Sequence, residues 1–220
     1  MVIDGKNISL VYDSETEEAT YALKDVNVQI REKEIIGVVG PSGSGKSSLL
    51  YVLSGLKNPS TGAVYYDDMN ISFLSEENRA KLRRKKFNFI FQRHYLMEYL
   101  TVLDNVLVVL NERDEKAREI ALSVLNRLGI KQLAHKKPSL LSVGQRQKAA
   151  MARALVTNSS VIFADEPTAS LDHESAMEVM KIFSEIKAVT SIIFVTHDLP
   201  LLESADRIIQ MSHGKIVSWR

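Results

Sequence analysis

The stretch that most constrains this chain is Gly40-Pro41-Ser42-Gly43-Ser44-Gly45-Lys46-Ser47, a match to the pattern G-x-x-x-x-G-K-[ST]. It directly follows the continuous apolar run Ile35-Ile36-Gly37-Val38-Val39, and a helical pattern with Leu49, Leu50, Leu53 and Leu56 on one side follows it. In a chain of 220 residues such a string arises by chance on the order of one time in a hundred. A buried strand before it and a helix after it lower that further. Glycines let the backbone curl so that successive N–H groups point inward at phosphate oxygens, and the helix adds its positive end. In that chemistry Lys46 neutralises the β- and γ-phosphates of a nucleotide, and Ser47, with Ser48 beside it, offers a hydroxyl to the Mg²⁺ that bridges them.

Further apolar runs recur at Val161-Ile162-Phe163-Ala164, Ile192-Ile193-Phe194-Val195 and Ile208-Ile209. Each suits a strand buried on both faces of a parallel sheet. Between them Ala176, Val179, Met180 and Phe183 fall on one helical face, as do Ala117, Ile120, Ala121, Val124, Leu125 and Leu128. Strand and helix in alternation predict an α/β core. Val2 to Val11, Ala22 to Ile30 and Ala63 to Tyr66 read instead as an antiparallel β layer, the last strand entered through the turn Pro59-Ser60-Thr61-Gly62. From Leu96 to Ala154 buried-strand runs are lacking and the pattern is mostly helical, which predicts a helical insert. Arg79, Lys81, Arg83, Arg84, Lys85 and Lys86, preceded by Glu76 and Glu77, read as a solvated helix face with charge pairs or as a contact for anionic lipid headgroups or an acidic partner loop.

The run Val161 to Ala164 ends in Asp165-Glu166, an apolar strand with two carboxylates at its tip beside the phosphate loop. Adjacent acids at a strand end are commonly solvated loop residues; their place after a buried strand, in a chain with a phosphate loop, favours chemistry. Asp165 then holds Mg²⁺, and Glu166 orients or polarises the attacking water, a task that neither the metal nor Lys46 performs. Thr196-His197-Asp198 follows the next strand, Ile192 to Val195. A single histidine there is commonly a surface residue, yet the carboxyl ends of parallel strands are where α/β sheets place ligands, so His197 is a candidate γ-phosphate contact.

At Leu141-Ser142-Val143-Gly144-Gln145 the chain reaches residues that generic phosphate-loop proteins lack, and it resembles the nucleotide-binding domain of ABC transporters, whose signature is LSGGQ, over essentially its whole length. A helix-like stretch, Gln147 to Leu155, follows, with the acidic strand about twenty residues after the signature. Tyr12 resembles the adenine-stacking aromatic, Gln92 the Q-loop glutamine, Ser170-Leu171-Asp172 the D-loop and His197 the switch histidine. An aromatic at a strand end is also commonly core or rim, and stacking is the physical basis of the adenine role. Leu82 to Gln92 and Leu100 to Val106 are most similar to the macrolide-exporter and lipoprotein-release type.

The resemblance implies a phosphate-loop NTPase core with an antiparallel β layer and a helical subdomain: residues 1–91 and 157–220 as the core, residues 92–156 as the subdomain carrying the signature. It implies an ATPase that forms a head-to-tail homodimer, each ATP lying between Gly40 to Ser48 of one copy and Ser142, Gly144, Gln145 and Asp172 of the other. Gln92 would touch Mg²⁺ and report to an integral membrane permease, which would hold the protein at the inner face of the cell membrane. Two departures stand out. Val143 replaces the first signature glycine, and the stretch between Val109 and Arg118 is short for this subgroup. Because Ser142 suits an N-cap, Val143 is expected as the first helical residue, where valine's restricted backbone is tolerated.

Composition narrows the alternatives. Lys+Arg 28 against Asp+Glu 27 leaves no chain-wide pull toward nucleic acid, and zero cysteines exclude a disulfide framework and thiolate chemistry, which favours a cytosolic setting. The longest apolar runs fall far short of the roughly 18 residues of a membrane span. With no basic segment leading into an apolar one at the start, the chain is expected to be soluble by itself. An ABC protein acting on DNA or ribosomes is disfavoured, since there is no long coiled-coil pattern and no tandem second ATPase. Two functions remain: an ATPase subunit driving a separately encoded permease, or a regulatory or mechanical signalling module whose ATP cycle reshapes a membrane partner.

Overall fold

The computed structural model describes residues 2–12, 20–110, 112 and 114–219. Chain order begins with β1 (Ile3–Tyr12), β2 (Thr20–Ile30), β3 (Ile35–Val39), α1 (Lys46–Leu53), β4 (Thr61–Tyr66), β5 (Met69–Asn70), α2 (Glu76–Lys86) and β6 (Phe87–Ile90). It continues with α3 (Val102–Leu107), α4 (Glu115–Arg127), α5 (Val143–Leu155), β7 (Val161–Asp165), α6 (His173–Ile186), β8 (Ser191–Val195), β9 (Arg207–Ser212) and β10 (Lys215–Trp219). Two sheets form, one of order β2-β1-β4-β5 and antiparallel, the other of order β10-β9-β3-β8-β7-β6. In the second, β9, β3, β8, β7 and β6 run parallel and only β10 is antiparallel. The α/β core with an antiparallel layer and a helical part is thus the observed architecture.

The apolar runs are buried on both faces. Ile36, Val38, Val161, Phe163, Ile193 and Val195 join α1 and the antiparallel sheet in one core, while Ile35, Ile162, Ala164, Ile192 and Phe194 join α3, α4, α5 and α6 in the other. Alternate residues of one strand therefore hold two layers together, which is why these strands read as continuous apolar runs. Ala176, Val179, Met180 and Phe183 of α6 are buried. Two sequence expectations fail on burial: Leu56 lies beyond the end of α1 and is exposed, and Ile120 points outward from α4. Helical periodicity places both on the apolar side, but α1 stops at Leu53, with Gly55 in the left-handed region, and α4 is covered on one side only.

The charged stretch is helix α2, capped by Ser75, with Glu76 paired to Arg79 and Arg83 and Glu77 paired to Lys81. Asp114 caps α4; of the short stretch between Val109 and Arg118, residues 111 and 113 lie outside the described residues. No described helix is long and apolar enough to cross a membrane.

Candidate functional site

Four loops leave the carboxyl ends of neighbouring parallel strands: Gly40 to Gly45 after β3, Thr196-His197 after β8, Glu166 after β7 and Gln92 after β6. They enclose a cleft of about 390 Å³ lined by Ser42, Gly43, Gly45, Lys46, Ser47, Ser48, Gln92, Asp165, Glu166 and His197 together with Thr20 to Ala22 and Val195. In the sheet β8 separates β3 from β7, yet the acidic strand end lies beside the phosphate loop as the sequence suggests. The helix α1 closes the gap: Ser47 Oγ donates to Asp165 Oδ1 at 3.0 Å.

The loop itself is built around backbone that only glycine tolerates. Gly45 has φ 100°, and a Cβ there would stand 2.3 Å from Ala22 O; at Gly40, with φ 150°, it would meet Met211 O at 2.2 Å. Inside the curl, Lys46 Nζ donates to Gly40 O and Pro41 O, each at 2.9 Å, and the residue is only 7% exposed. Among the described residues no carboxylate lies within 4.0 Å of this ammonium, and the Ser44 hydroxyl is buried without a hydrogen-bond partner. A buried cation partnered only by neutral carbonyls, in a glycine loop at a helix N-terminus, fits a phosphate.

The acidic side is equally defined. Asp165 is buried, and burial pushes its carboxyl above the ordinary range, with hydrogen bonds from Ser47 and Tyr51 opposing. Tyr51, one helical turn after Ser47, donates to Asp165 Oδ2 at 3.3 Å; burial and the Asp165 charge push its hydroxyl up to about 12. Glu166 sits in the left-handed region at φ 52°, an uncommon conformation for a non-glycine residue, and its carboxylate Oε1 lies 2.8 Å from His197 Nε2. Burial raises the Glu166 carboxyl as well, the neighbouring His197 acting against it. His197 itself is 58% exposed at its side chain and faces the open side of the cleft. Among the described residues no three His, Asp or Glu side chains gather into a cation cage. Ser47 and Asp165, with Gln92 on the same cleft, fit Mg²⁺ in the manner of nucleotide sites, where phosphates and waters supply the remaining ligands.

Not every sequence candidate joins this cleft. Tyr12 ends β1 with its hydroxyl 3.5 Å from Ser48 Oγ, but Lys57 Nζ stands 3.7 Å from the centre of its ring, so one face is already covered. Gly40, Pro41 and Ser44 shape the loop from behind rather than line the cleft. Ser142, Gly144, Gln145 and Asp172 lie apart from it. Ser142 caps α5, accepting from Gln145 N at 3.2 Å while Gln145 Oε1 accepts from Ser142 N at 3.0 Å, and Val143 is the first helical residue, as expected. Val143 is half-exposed and is not among the residues with positive φ. At Gly144 a Cβ would stand 2.9 Å from Ser170 O, so the signature packs closely against the segment leading to Asp172, which caps α6.

Tyr51, the Thr20 to Ala22 edge and two anchors of α5 escape sequence reasoning. Gln147 Nε2, fully buried, donates to Pro167 O at 2.8 Å, and Arg153 donates to Tyr95 O at 2.7 Å and His94 O at 2.8 Å. One helix thereby grips both the segment after Glu166 and the segment after Gln92. The spacing of Tyr51 four residues after Ser47, on one helix face, is the signal that could have found the first.

A phosphate-cradling loop, an acid pair and a histidine at adjacent strand ends, and a capped helix packed on the next loop define a phosphate-loop ATPase cassette. The ABC transporter family profile matches residues 23–169, and the chain belongs to that family. It is 37% identical over 216 residues to the lipoprotein-releasing system ATP-binding protein LolD of Wigglesworthia glossinidia brevipalpis, covering 96% of this chain and 94% of the relative. It is 42% identical over 200 residues to the macrolide export ATP-binding/permease protein MacB of Bartonella henselae, of whose length it spans 30%. Both match the macrolide-exporter and lipoprotein-release type. The solved dimeric structure of the ATP-binding cassette MJ0796, in a post-hydrolysis state bound to ADP and Pi, superposes with a TM-score of 0.94 at 34% identity over 99% of this chain and 97% of that one.

Proposed function

We propose that this chain is the ATP-hydrolysing subunit of a transporter, driving a separately encoded membrane permease through ATP-dependent head-to-tail dimerisation, and residing at the membrane through that permease. The observation that carries this reading is the buried Lys46 ammonium, held by two carbonyls inside the glycine loop, with Ser47 tied to Asp165 on one side and Glu166 tied to His197 on the other. Lys46 and the loop N–H groups bind the ATP phosphates. Ser47, Asp165 and Gln92 would hold Mg²⁺, which supplies charge neutralisation when bound. Glu166 orients the water that attacks the terminal phosphorus, and His197, able to leave its carboxylate, steadies the phosphoryl oxygens. Tyr12 stacks on adenine once Lys57 moves aside.

Each phosphate group is completed by a second copy, which offers Ser142, the N–H groups at the start of α5, and Asp172. The dimeric structure of the MJ0796 cassette supports the pairing of two copies. Residues 92–156 act as one helical unit between Gln92 and the signature, relaying the state of the nucleotide site to the permease. MacB is named as an ATP-binding and permease protein in one chain and LolD as an ATP-binding protein of a lipoprotein-releasing system, which favours coupling to a membrane partner here. Reconstitution tests it. ATP hydrolysis in vesicles carrying a candidate partner permease should rise several-fold over that of the chain alone and move cargo across the bilayer. Stimulated hydrolysis without cargo movement would point to the signalling role, and no change on adding any such membrane partner would refute both.

A further inference from the structure

Asp165 has two carboxylate oxygens, and each accepts from a different hydroxyl. Ser47 Oγ serves Oδ1 at 3.0 Å and Tyr51 Oη serves Oδ2 at 3.3 Å. The terminal torsion of an aspartate is broad, so its plane is set by such hydrogen bonds rather than by rotamer preference. When the Ser47 oxygen turns to a metal, Tyr51 is left as the hydroxyl that holds the carboxylate. The tyrosine ring is itself held. It lies 5.7 Å from the ring of Phe89, which stacks on Phe91 at 4.1 Å, which meets Tyr95 edge-on at 5.3 Å. Phe89 also stacks on Phe163 of β7 at 6.0 Å, two residues before Asp165. The column ends where Arg153 grips the carbonyls of His94 and Tyr95, so it runs from the acidic strand end past Gln92 to α5.

We infer that Tyr51 is a positioning residue for the metal-side carboxylate: its hydroxyl orients Asp165, and its ring is the inner end of an aromatic column tying that carboxylate to the segment carrying Gln92. This rests on the reading that Asp165 serves Mg²⁺. A phenylalanine would fill the same space and stack equally well, so ordinary packing does not require the hydroxyl.

The test uses Mn²⁺ as the metal probe, with free ion counted by electron paramagnetic resonance in the presence of ATP and a Glu166→Gln background that suppresses turnover. Tyr51→Phe should raise the Mn²⁺ concentration for half-occupancy about three- to tenfold, the range of one lost hydrogen bond. ATP affinity in EDTA should stay within about twofold and the unfolding midpoint should hold, which separates positioning from folding. Phe89→Leu, which keeps the hydroxyl but removes its support, should weaken Mn²⁺ in the same direction while also sparing ATP affinity in EDTA. Asp165→Asn serves as the reference. If it binds Mn²⁺ like the parent, the assignment of Asp165 to the metal fails. If it loses Mn²⁺ while Tyr51→Phe binds normally, the inference about Tyr51 is overturned and that assignment stands. Weakening in Phe89→Leu but not in Tyr51→Phe would also overturn it, leaving the column a packing element.

Discussion

Replacing Lys46 by methionine should separate binding from folding, because the ammonium is buried with only neutral partners. Its two acceptors, Gly40 O and Pro41 O at 2.9 Å, leave one N–H directed at no protein group. A charge-assisted hydrogen bond contributes about 1.5–3 kcal/mol, and unit charges about 4 Å apart attract by about 4 kcal/mol at an effective dielectric constant near 20. Between these, the loss on Lys46→Met is about 2–4 kcal/mol, or roughly 30- to 1000-fold in ATP affinity. Folding is affected differently. The variant strips two carbonyls of a donor, yet it also removes a desolvated charge that no described carboxylate pairs directly, Asp165 and Glu166 acting on it only at longer range, so the two terms oppose each other. The unfolding midpoint of the nucleotide-free protein should therefore stay within about 1 kcal/mol, or about 2–4 °C for a chain of this size. Titration calorimetry with ATP and a thermal melt without it measure the two quantities. An ATP affinity within threefold of the parent would refute the phosphate role, and a large fall in the midpoint would show that Lys46 is a structural strut of the loop.

Val143→Gly should change turnover less than about tenfold, equivalent to about 1.4 kcal/mol, because Val143 begins α5 without a positive φ and keeps the N–H that the site uses. Steady-state hydrolysis reads it, and an inactive native protein rescued by this change would mark the signature as degenerate. Glu166→Gln should raise the melting midpoint at neutral pH, with the gain vanishing as pH falls. The Glu166 carboxyl is held above the ordinary range by burial, with Asp165 adding to this and His197 and Lys46 opposing it. Ionising it in the folded protein thus costs stability, a cost absent below the ordinary glutamate pKa of about 4.3 that grows as pH rises toward the elevated value. Melts across pH would contradict this if the variant's advantage were largest in acid.

Local pattern revealed the parts whose physics is local. The glycine loop, the apolar runs and the carboxylates at a strand end announce themselves because a phosphate cradle needs positive φ and a two-sided strand needs continuous apolar residues. The N-cap at Ser142 and the helical start at Val143 were legible for the same reason, since Ser142 and Gln145 form a capping box at fixed spacing. What stayed hidden depends on long-range placement. The interposition of β8 between β3 and β7, the placement of β6 and β10 at opposite edges of the sheet, and the meeting of Tyr51 with Asp165 are set by strand order, which spacing along the chain does not encode. The short β6 followed a basic helix and carried an asparagine whose side chain bonds Ala154 O and Thr157 Oγ1, so its apolar run was too broken to stand out. The left-handed Glu166 is likewise invisible in sequence, being imposed by the turn from β7 toward His197.

On the proposed function, ATP binding completes two composite sites between two copies of this chain, each joining the Lys46 loop of one copy to the Ser142 helix of the other. Light scattering of Glu166→Gln measures it directly, because this variant should bind ATP and Mg²⁺ yet not consume them. The expected result is a monomer mass without nucleotide, twice that mass with saturating ATP and Mg²⁺, and a return to monomer when Ser142 is also changed to a bulky residue. A monomer under saturating ATP, in a variant shown by calorimetry to bind it, would contradict the composite site.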